Sequence, residues 1–483
     1  MKLEKIIEGL EIKRTEGAGG DPDIRMIRFD SRRVQKKDLF VAVRGVVEDG
    51  HRYIGDALAS GAVCVVCEEL PGKPDPGVTW VVVPDSRKAL ALMASSFYGH
   101  PSRELHLVGV TGTNGKTTVA TLLHQLHGLM GFRAGLLSTI HVLIENEPFP
   151  ATHTTPDPLR INEYLRAMAD RGCQYCFMEV SSHAIDQERI AGLLFTGGIF
   201  TNLTHDHLDY HKDFREYLTV KKRFFDALPE EAFALVNNDD RNAGVMLQNC
   251  RAGKFSYGLK SVSDFQGRIR EMHLEGSSMV VGDSELWVKL PGYFNAYNLL
   301  AVYGASVLLG QATDEVLKVL SSLDPVTGRF ETCRSASGVT GIVDYAHTPD
   351  ALKNVLESLH QVIPGGVKII TVVGAGGNRD TQKRPVMARI AAEASHMTIL
   401  TSDNPRFEDP EKILDDMMEG IPAPLMGKTM RIVSRKEAIR TACMIAERGD
   451  IILVAGKGHE KYQETRGERI VFDDMEILKK NMN

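Results

Sequence analysis

The chain has 483 residues, 43% of them hydrophobic and 25% charged, with seven cysteines and a formal net charge of −6. That length exceeds what one hydrophobic core serves, so about two to four domains are expected. The composition excludes disordered, collagen-like and disulfide-scaffold classes. The negative charge excludes a nucleic-acid partner bound through bulk charge, and the basic run Lys221-Lys222-Arg223 is too short to reverse this.

The first residues read MKLEKIIEGLEIKR, with Leu3, Ile6, Ile7 and Leu10 at helical spacing and charges between them. No uninterrupted apolar stretch of the signal-peptide kind follows. No window approaches the ~20 apolar residues of a membrane span, so a cytoplasmic protein is expected. Up to residue 98, short strands (LFVAV, AVCVV, TWVVV) alternate with helical stretches at 53–60 and 86–97, and LPGKPDPG at 70–77 forms a turn cluster. Two CxxC pairs, Cys64/Cys67 and Cys173/Cys176, fall in the strand-like runs AVCVVCE and YCFMEV. Side chains three apart on a strand point to opposite faces, so buried free thiols are expected rather than a zinc site.

The second section, 99–329, opens with the strand LHLVGV at 105–110, a glycine-rich turn and a helix at 117–130. Its further strands YCFMEV, GGIFTN and FALVNN alternate with helices, the rhythm of a parallel α/β sheet. The third section, 330–483, repeats that rhythm. Strands GIVDYA, KIITVVG, MTILTS and IILVAG are separated by helices near 349–362, 383–395, 410–419 and 434–447. The strands end in Asp344, Gly374, Ser402 and Gly456. Ligands gather beyond the C-terminal edge of open parallel sheets, so a second ligand-binding domain is expected there.

The stretch Gly109-Val-Thr-Gly-Thr-Asn-Gly-Lys-Thr-Thr118 is the most informative. A buried strand enters a glycine loop, and Lys-Thr-Thr then opens an amphipathic helix. Such a loop turns backbone N–H groups toward a phosphate chain, and the helix N-terminus adds the positive end of its dipole. Lys116 is placed to reach the terminal phosphates and the Thr117 hydroxyl to join a Mg²⁺ shell. Val110 stands where the strict pattern has glycine, so the loop is of the G-T-N-G-K-T kind.

Glu179, at the end of YCFMEV, is suited to Mg²⁺, the competing reading being a capping carboxylate. The cluster TNLTHDHLDYHKD holds His205, His207 and His211 with Asp206 and Asp209. Alone it would admit a zinc hydrolase or a polar loop. With a nucleotide loop upstream, a hard Mg²⁺ ion sharing one histidine fits better.

These segments, in their order, resemble the Mur ligase family over essentially the whole chain. The matching stretches begin with DSR (30–32), GTNGKTT (112–118), TTPDP (154–158), MEVSSHAIDQER (178–189) and TNLTHDHLDYH (201–211). They continue with VNNDD (236–240), LPGYFNAYN (290–298) and GRFE (328–331), then VDYAHTPDAL (343–352), GAGGNRD (374–380), SDNPR (402–406) and GKGHEKYQ (456–463). The loop alone would also admit folylpolyglutamate and cyanophycin synthetases. TTPDP, EVSSHAIDQER and DNPR narrow the resemblance to the tripeptide-forming members.

The resemblance implies three α/β domains. They are an N-terminal UDP-binding domain (1–98), a central P-loop-type parallel-sheet ATPase domain (99–329) and a Rossmann-like C-terminal domain taking the amino acid (330–483). It implies that Ser31, Thr154, Thr155, Ser181, Gln187 and Arg189 hold a UDP-muramoyl dipeptide. It implies that Gly112, Thr113, Asn114, Gly115, Lys116, Thr117, Thr118, Asn298 and Arg329 bind ATP. Glu179, His207 and Thr117 would bind Mg²⁺, and Lys221 matches the lysine that is carbamylated in this family, the carbamate (from CO2) holding a second Mg²⁺. An exposed helix lysine is the alternative at that position.

For the third substrate, Arg406 of DNPR offers a fork for the far carboxylate of meso-diaminopimelate. Asn404 is neutral and does not compete with Arg406 for the charge. By resemblance Arg379, Asp403, Pro405, Gly456 and Glu460 complete the pocket. The expected activity is ATP-dependent ligation of meso-diaminopimelate to UDP-N-acetylmuramoyl-L-alanyl-D-glutamate through an acyl phosphate, by a monomer. The alternatives are an L-lysine-adding synthetase and a non-catalytic nucleotide-binding module.

Overall fold

The computed structural model describes residues 1–17, 20–45, 48–150, 153–206 and 210–482. Three α/β sheets succeed one another along the chain, with a two-stranded hairpin (Tyr462–Thr465, Glu468–Val471) near its end. The first sheet has five strands, in the order Arg14–Gly17, Thr79–Val82, Cys64–Cys67, Leu39–Val41, Ile27–Arg28. Only the Arg14–Gly17 strand runs antiparallel. Cys64 and Cys67 are buried within it, and burial pushes the Cys67 thiol up to about 11. Cys176 is also on a buried strand, whereas Cys173 lies in the turn ahead of it, so the expectation of two strand-borne pairs holds for one pair only.

The central sheet has eleven strands. It is parallel from Ala134–Leu137 through Tyr175–Glu179, His106–Thr111, Gly197–Phe200, Phe233–Asn237 and Gly253–Gly258 to Phe265–His273. Antiparallel strands continue it at both ends: Gly276–Val281 and Ser284–Val288 on one side, Val142–Ile144 and Glu147–Phe149 on the other. The sequence reading anticipated only the parallel part. The near-continuous apolar runs of the inner strands follow from helices covering both faces. Val108 and Val110 pack with Val119 and Leu123 of the helix Lys116–Leu129 and with Leu299 of Tyr293–Leu308. Leu107 packs on the opposite side with Ile161 of Pro158–Asp170 and Phe224 of Phe214–Asp226.

Glycines set how closely that last helix approaches. A Cβ at Gly109 would lie 2.6 Å from Phe224 Cζ, and one at Gly198 would lie 2.9 Å from the same ring. The absence of side chains there lets Phe224 press onto the sheet. Lys221, one turn earlier on the same face, is thereby brought against the end of the strand His106–Thr111.

The third sheet runs Glu331–Arg334, Thr340–Asp344, Ile451–Ala455, Ile369–Ala375, Met397–Ser402, Thr429–Arg431, parallel except for the first pair. Helices Pro349–Val362, Lys383–Ala394 and Pro410–Met418 cover one face, and Arg435–Ile445 and Asp474–Asn481 the other. Beside it the fully buried Arg435 donates to both oxygens of Asp474, at 2.8 and 2.7 Å, and to the Ala455 carbonyl at 3.0 Å. This fork fastens the C-terminal helix across the strand ends. Breaking a buried pair from one side strands the other charge. Asp474→Ala is therefore expected to lower unfolding free energy by about 3–5 kcal/mol, read as an earlier guanidinium-induced transition.

Candidate active site

Between the strand His106–Thr111 and the helix Lys116–Leu129 the chain turns through Gly112 (φ +147) and Gly115 (φ +87). A Cβ on Gly112 would sit 1.9 Å from Thr201 Oγ1, and one on Gly115 would sit 2.6 Å from Asn298 Oδ1. Both positions demand glycine for conformation and for space. The loop is braced from the adjoining strand end: Thr113 N donates to the Asn202 carbonyl (2.9 Å), and Asn114 N to Asn202 Oδ1 (2.9 Å). Lys116 curls back so that Nζ donates to the carbonyls of Gly112 (2.9 Å) and Thr113 (2.8 Å). Burial holds its ammonium below the ordinary lysine range, and the Glu179 carboxylate opposes that shift.

Glu179, 1% exposed, ends the neighbouring strand and accepts from Thr139 N (2.7 Å) and Thr139 Oγ1 (3.2 Å). The same Thr139 hydroxyl donates to Thr154 Oγ1 at 3.1 Å. Thr155 Oγ1 donates to the Glu179 carbonyl (2.8 Å) and accepts from Ser181 N (3.1 Å). Arg189 donates to the Thr155 carbonyl (2.8 Å) and to Gln187 Oε1. The segments 154–155 and 179–189, separate in sequence, thus form one hydrogen-bonded wall.

Lys221 Nζ, on a side chain 1% exposed, donates to the Gly112 carbonyl (2.9 Å) and Thr111 Oγ1 (3.3 Å). No carboxylate lies within ion-pair distance of it among the described residues. Burial, with Lys116 nearby, pushes this amine well below the ordinary lysine range.

The third sheet closes the other side. Arg329 donates to Thr117 Oγ1 (3.1 Å), and its guanidinium lies 4.3 Å from the centroid of Tyr345. Asn114 Nδ2 donates to Asp350 on the helix Pro349–Val362 (3.0 Å), so the phosphate loop is tied directly to the C-terminal sheet's helices. Burial raises the Asp344 carboxyl to about 6 although it accepts from Phe330 N and Ala346 N, each at 2.7 Å. Arg406 adopts a left-handed conformation (φ 53) and donates to the Gly377 carbonyl at 2.7 Å. Asn404 does not stand free in the pocket, because Lys457, Glu460 and Glu464 N already occupy its amide.

One cleft of about 970 Å³ runs from the loop 113–118 past Glu179 and Lys221 to Arg379, Asp403, Asn404, Arg406, Gly456 and Glu460. Thr154, Thr155, Ser181 and Arg189 line the same cleft, as do Asn298 and Arg329. Ser31 is not part of this lining; it opens the short turn Ser31–Arg33 beside the first sheet. Gln187 and Pro405 stand behind the lining, Gln187 bonded to Arg189 and Tyr210, and Pro405 accepting from Glu408 N. Gly112 contributes its carbonyl to both lysines. His207 lies outside the described residues. Asp344 was expected only as a strand end, and Thr139 and Asp350 were not anticipated. Asp350 sits inside VDYAHTPDAL, but Thr139 carries no sequence signal at all.

Among the described residues no group of three or more His, Cys, Asp or Glu side chains could hold a metal unaided. Glu179 and the Thr117 hydroxyl nevertheless offer hard oxygen donors on the same cleft, the donor set Mg²⁺ takes when it shares its shell with phosphates and water. The amine of Lys221 as it stands does not fit a cation.

A family profile described as the Mur ligase middle domain matches residues 110–306. The Mur ligase, glutamate ligase domain matches 328–458, and the Mur ligase family, catalytic domain matches 23–98. The chain is 56% identical over its whole length to the UDP-N-acetylmuramoyl-L-alanyl-D-glutamate--2,6-diaminopimelate ligase of Bacteroides thetaiotaomicron, covering 100% of each. To the protein of the same name from Geobacillus kaustophilus it is 41% identical, covering 95% of each. A solved structure of a ligase of that name aligns with a TM-score of 0.68 at 31% identity, covering 100% of this chain and 98% of the other. Identity sustained over the whole chain, with a family profile matching part of each of the three α/β sections, leaves one conclusion: the chain belongs to the Mur ligase family.

Proposed function

We propose that the chain is the ATP-dependent ligase that joins meso-2,6-diaminopimelate to the D-glutamate of UDP-N-acetylmuramoyl-L-alanyl-D-glutamate in peptidoglycan synthesis, releasing ADP and phosphate. The observation that carries this reading is the single cleft linking the phosphate loop to the Arg406–Glu460 pocket. In this reading 99–329 binds ATP and 330–483 the amino acid within that cleft, whereas 1–98, outside its lining, takes the UDP end of the substrate. We assign the reaction to a monomer in the cytoplasm. No helix among the described residues is long and apolar enough to cross a membrane.

The γ-carboxylate of D-glutamate attacks the γ-phosphorus of ATP, forming an acyl phosphate and releasing ADP. The amine of diaminopimelate then attacks the acyl carbon; phosphate leaves and the amine gives up a proton. Lys116 offsets the negative charge that builds on the transferred phosphoryl oxygens. Asn298 and Arg329 frame the nucleotide, while Thr154, Thr155, Ser181 and Arg189 hold the muramoyl peptide. Arg406 grips the distal carboxylate of diaminopimelate, and Glu460 accepts from its ammonium. Glu179, Thr117, His207 and a carbamate on Lys221 would hold Mg²⁺, which would neutralise phosphate charge. The buried, depressed amine of Lys221 supports that last assignment, because only an uncharged amine reacts with CO2.

Phosphate release with ATP, Mg²⁺ and the UDP-muramoyl dipeptide, supplied separately with diaminopimelate, L-lysine or L-ornithine, tests the reading. Turnover is expected with diaminopimelate alone. Turnover with lysine would overturn the role of Arg406, and silence with all three would overturn the ligase assignment.

A further inference from the structure

We propose that Lys457 is a positioning residue, whose ammonium sets Glu460 and Asn404 to receive the distal end of the amino-acid substrate. This rests on the ligase reading above. Lys457 follows the strand Ile451–Ala455 through Gly456 (φ +117), where a Cβ would sit 2.7 Å from Asp403 Oδ2. The glycine lets the chain turn sharply enough to send Lys457 inward, and the side chain is wholly buried, at 0% exposure. A lysine so placed forfeits its hydration and persists only where acceptors surround it.

Those acceptors are groups of the amino-acid pocket. Lys457 Nζ donates to Asn404 Oδ1 at 2.9 Å and to Glu460 Oε2 at 3.0 Å. Asn404 Nδ2 donates to the same Glu460 oxygen at 2.7 Å, closing a triangle of ammonium, amide and carboxylate. Glu464 N adds a bond to Asn404 Oδ1 at 3.0 Å, so the orientation of the amide is fixed. The Tyr462 ring lies 5.4 Å from the ammonium on a further side. Charge from Lys457 also helps to keep the neighbouring Asp403 carboxyl below its ordinary range against the effect of burial.

The triangle divides the work of Glu460 between its two oxygens. Oε2 is committed to Lys457 and Asn404, while Oε1 has no hydrogen-bond partner among the described residues and remains available to a ligand ammonium. Without Lys457 the carboxylate would lose its counter-charge and one of its two anchors. The oxygen offered to substrate would then have to be ordered at the moment of binding, at the expense of affinity. Lys457 makes no contact with the phosphate loop, so its effect belongs to amino-acid binding and not to phosphoryl transfer.

Steady-state phosphate release by the full chain, with diaminopimelate varied at saturating ATP and UDP-muramoyl dipeptide, tests this through a double-mutant cycle of Lys457→Met and Glu460→Gln. Lys457→Met is expected to raise KM for diaminopimelate about 10- to 100-fold, the loss of a charged hydrogen bond, with kcat and the KM for ATP changed less than about threefold. In the Glu460→Gln background the same substitution should add less than about threefold, because its route of action is already gone. An equal rise in both backgrounds, or a fall in kcat with KM unchanged, would overturn the proposal. If Lys457→Met alone fails to fold, Lys457→Gln, which keeps a donor but not the charge, takes its place in both legs of the cycle with the same expected pattern. Wild-type protein that does not turn over diaminopimelate would instead remove the ligase reading itself.

Discussion

Lys116→Ala is expected to lower kcat about 10²- to 10³-fold, the cost of removing one preorganised group from a developing oxyanion. The loop itself should survive the substitution, since its shape comes from Gly112, Gly115 and the backbone bonds to Asn202. What disappears is a cation that in the free protein satisfies itself on the carbonyls of Gly112 and Thr113. Those are weak, neutral acceptors for a half-buried ammonium, so exchanging them for phosphate oxygens is favourable. Lys116→Arg should rescue little, because a rigid planar fork cannot fold back into the space a flexible stem occupies. Phosphate release under single-turnover conditions, with nucleotide binding titrated separately, checks the result. A rise in KM for ATP at unchanged kcat would mean that Lys116 binds ground state and transition state alike.

Most of the scaffold behind that prediction was legible in the sequence. The apolar runs 105–110 and 175–180 are long because both faces of their sheet are covered, and the helix expected at 117–130 spans Lys116–Leu129. The strand ends at Asp344, Gly374 and Gly456 do reach the cleft, as the geometry of open parallel sheets dictates. The hairpin strands 265–288 were less visible. FQGRIREMH carries charge on a half-exposed strand near the end of the sheet, where hydrogen bonding to its neighbours rather than burial decides the strand. Long-range pairings escaped altogether. Nothing in the stretch around Thr139 announces that it will hold Glu179, forty residues away, and nothing ties Lys457 to Asn404 across 53 positions. Asn404 shows the same limit from the other side. Its neutrality was read as leaving Arg406 unopposed, and the hydrogen bonds of its amide to Glu460 and Lys457 had no sequence signal. Such roles depend on which side chains the turns bring together, and the motif DNPR specifies the turn but not its neighbours.

Lys221→Ala is expected to reduce turnover by at least about 100-fold, the several kcal/mol of charge stabilisation that a bound divalent cation supplies. Here the starting point is an apparent misfit. A fully buried amine, hydrogen-bonded among the described residues to a carbonyl and a hydroxyl and set 4.9 Å from the Tyr217 ring centroid, stands beside a second lysine on the wall of the cleft. Burial and Lys116 favour its neutral form, and a neutral amine adds CO2 to give a carbamate, releasing one proton. The sign of the effect follows. Lowering the pH through the depressed amine's titration, or depleting CO2, should reduce the carbamate and with it activity. Raising bicarbonate at fixed pH should restore it. In Lys221→Ala the space left by the side chain opens beside Thr111 and the Gly112 carbonyl, where a small carboxylate can enter. Added acetate or propionate should therefore recover part of the lost rate, whereas chloride at equal ionic strength should not. Mass spectra of the alanine variant cannot carry the 44-Da adduct at this position, so carbon-13 NMR of wild-type protein in labelled bicarbonate supplies the direct reading. A wild-type rate indifferent to bicarbonate, together with an alanine variant that no carboxylate rescues, would leave Lys221 as a hydrogen-bond donor that braces the loop and nothing more.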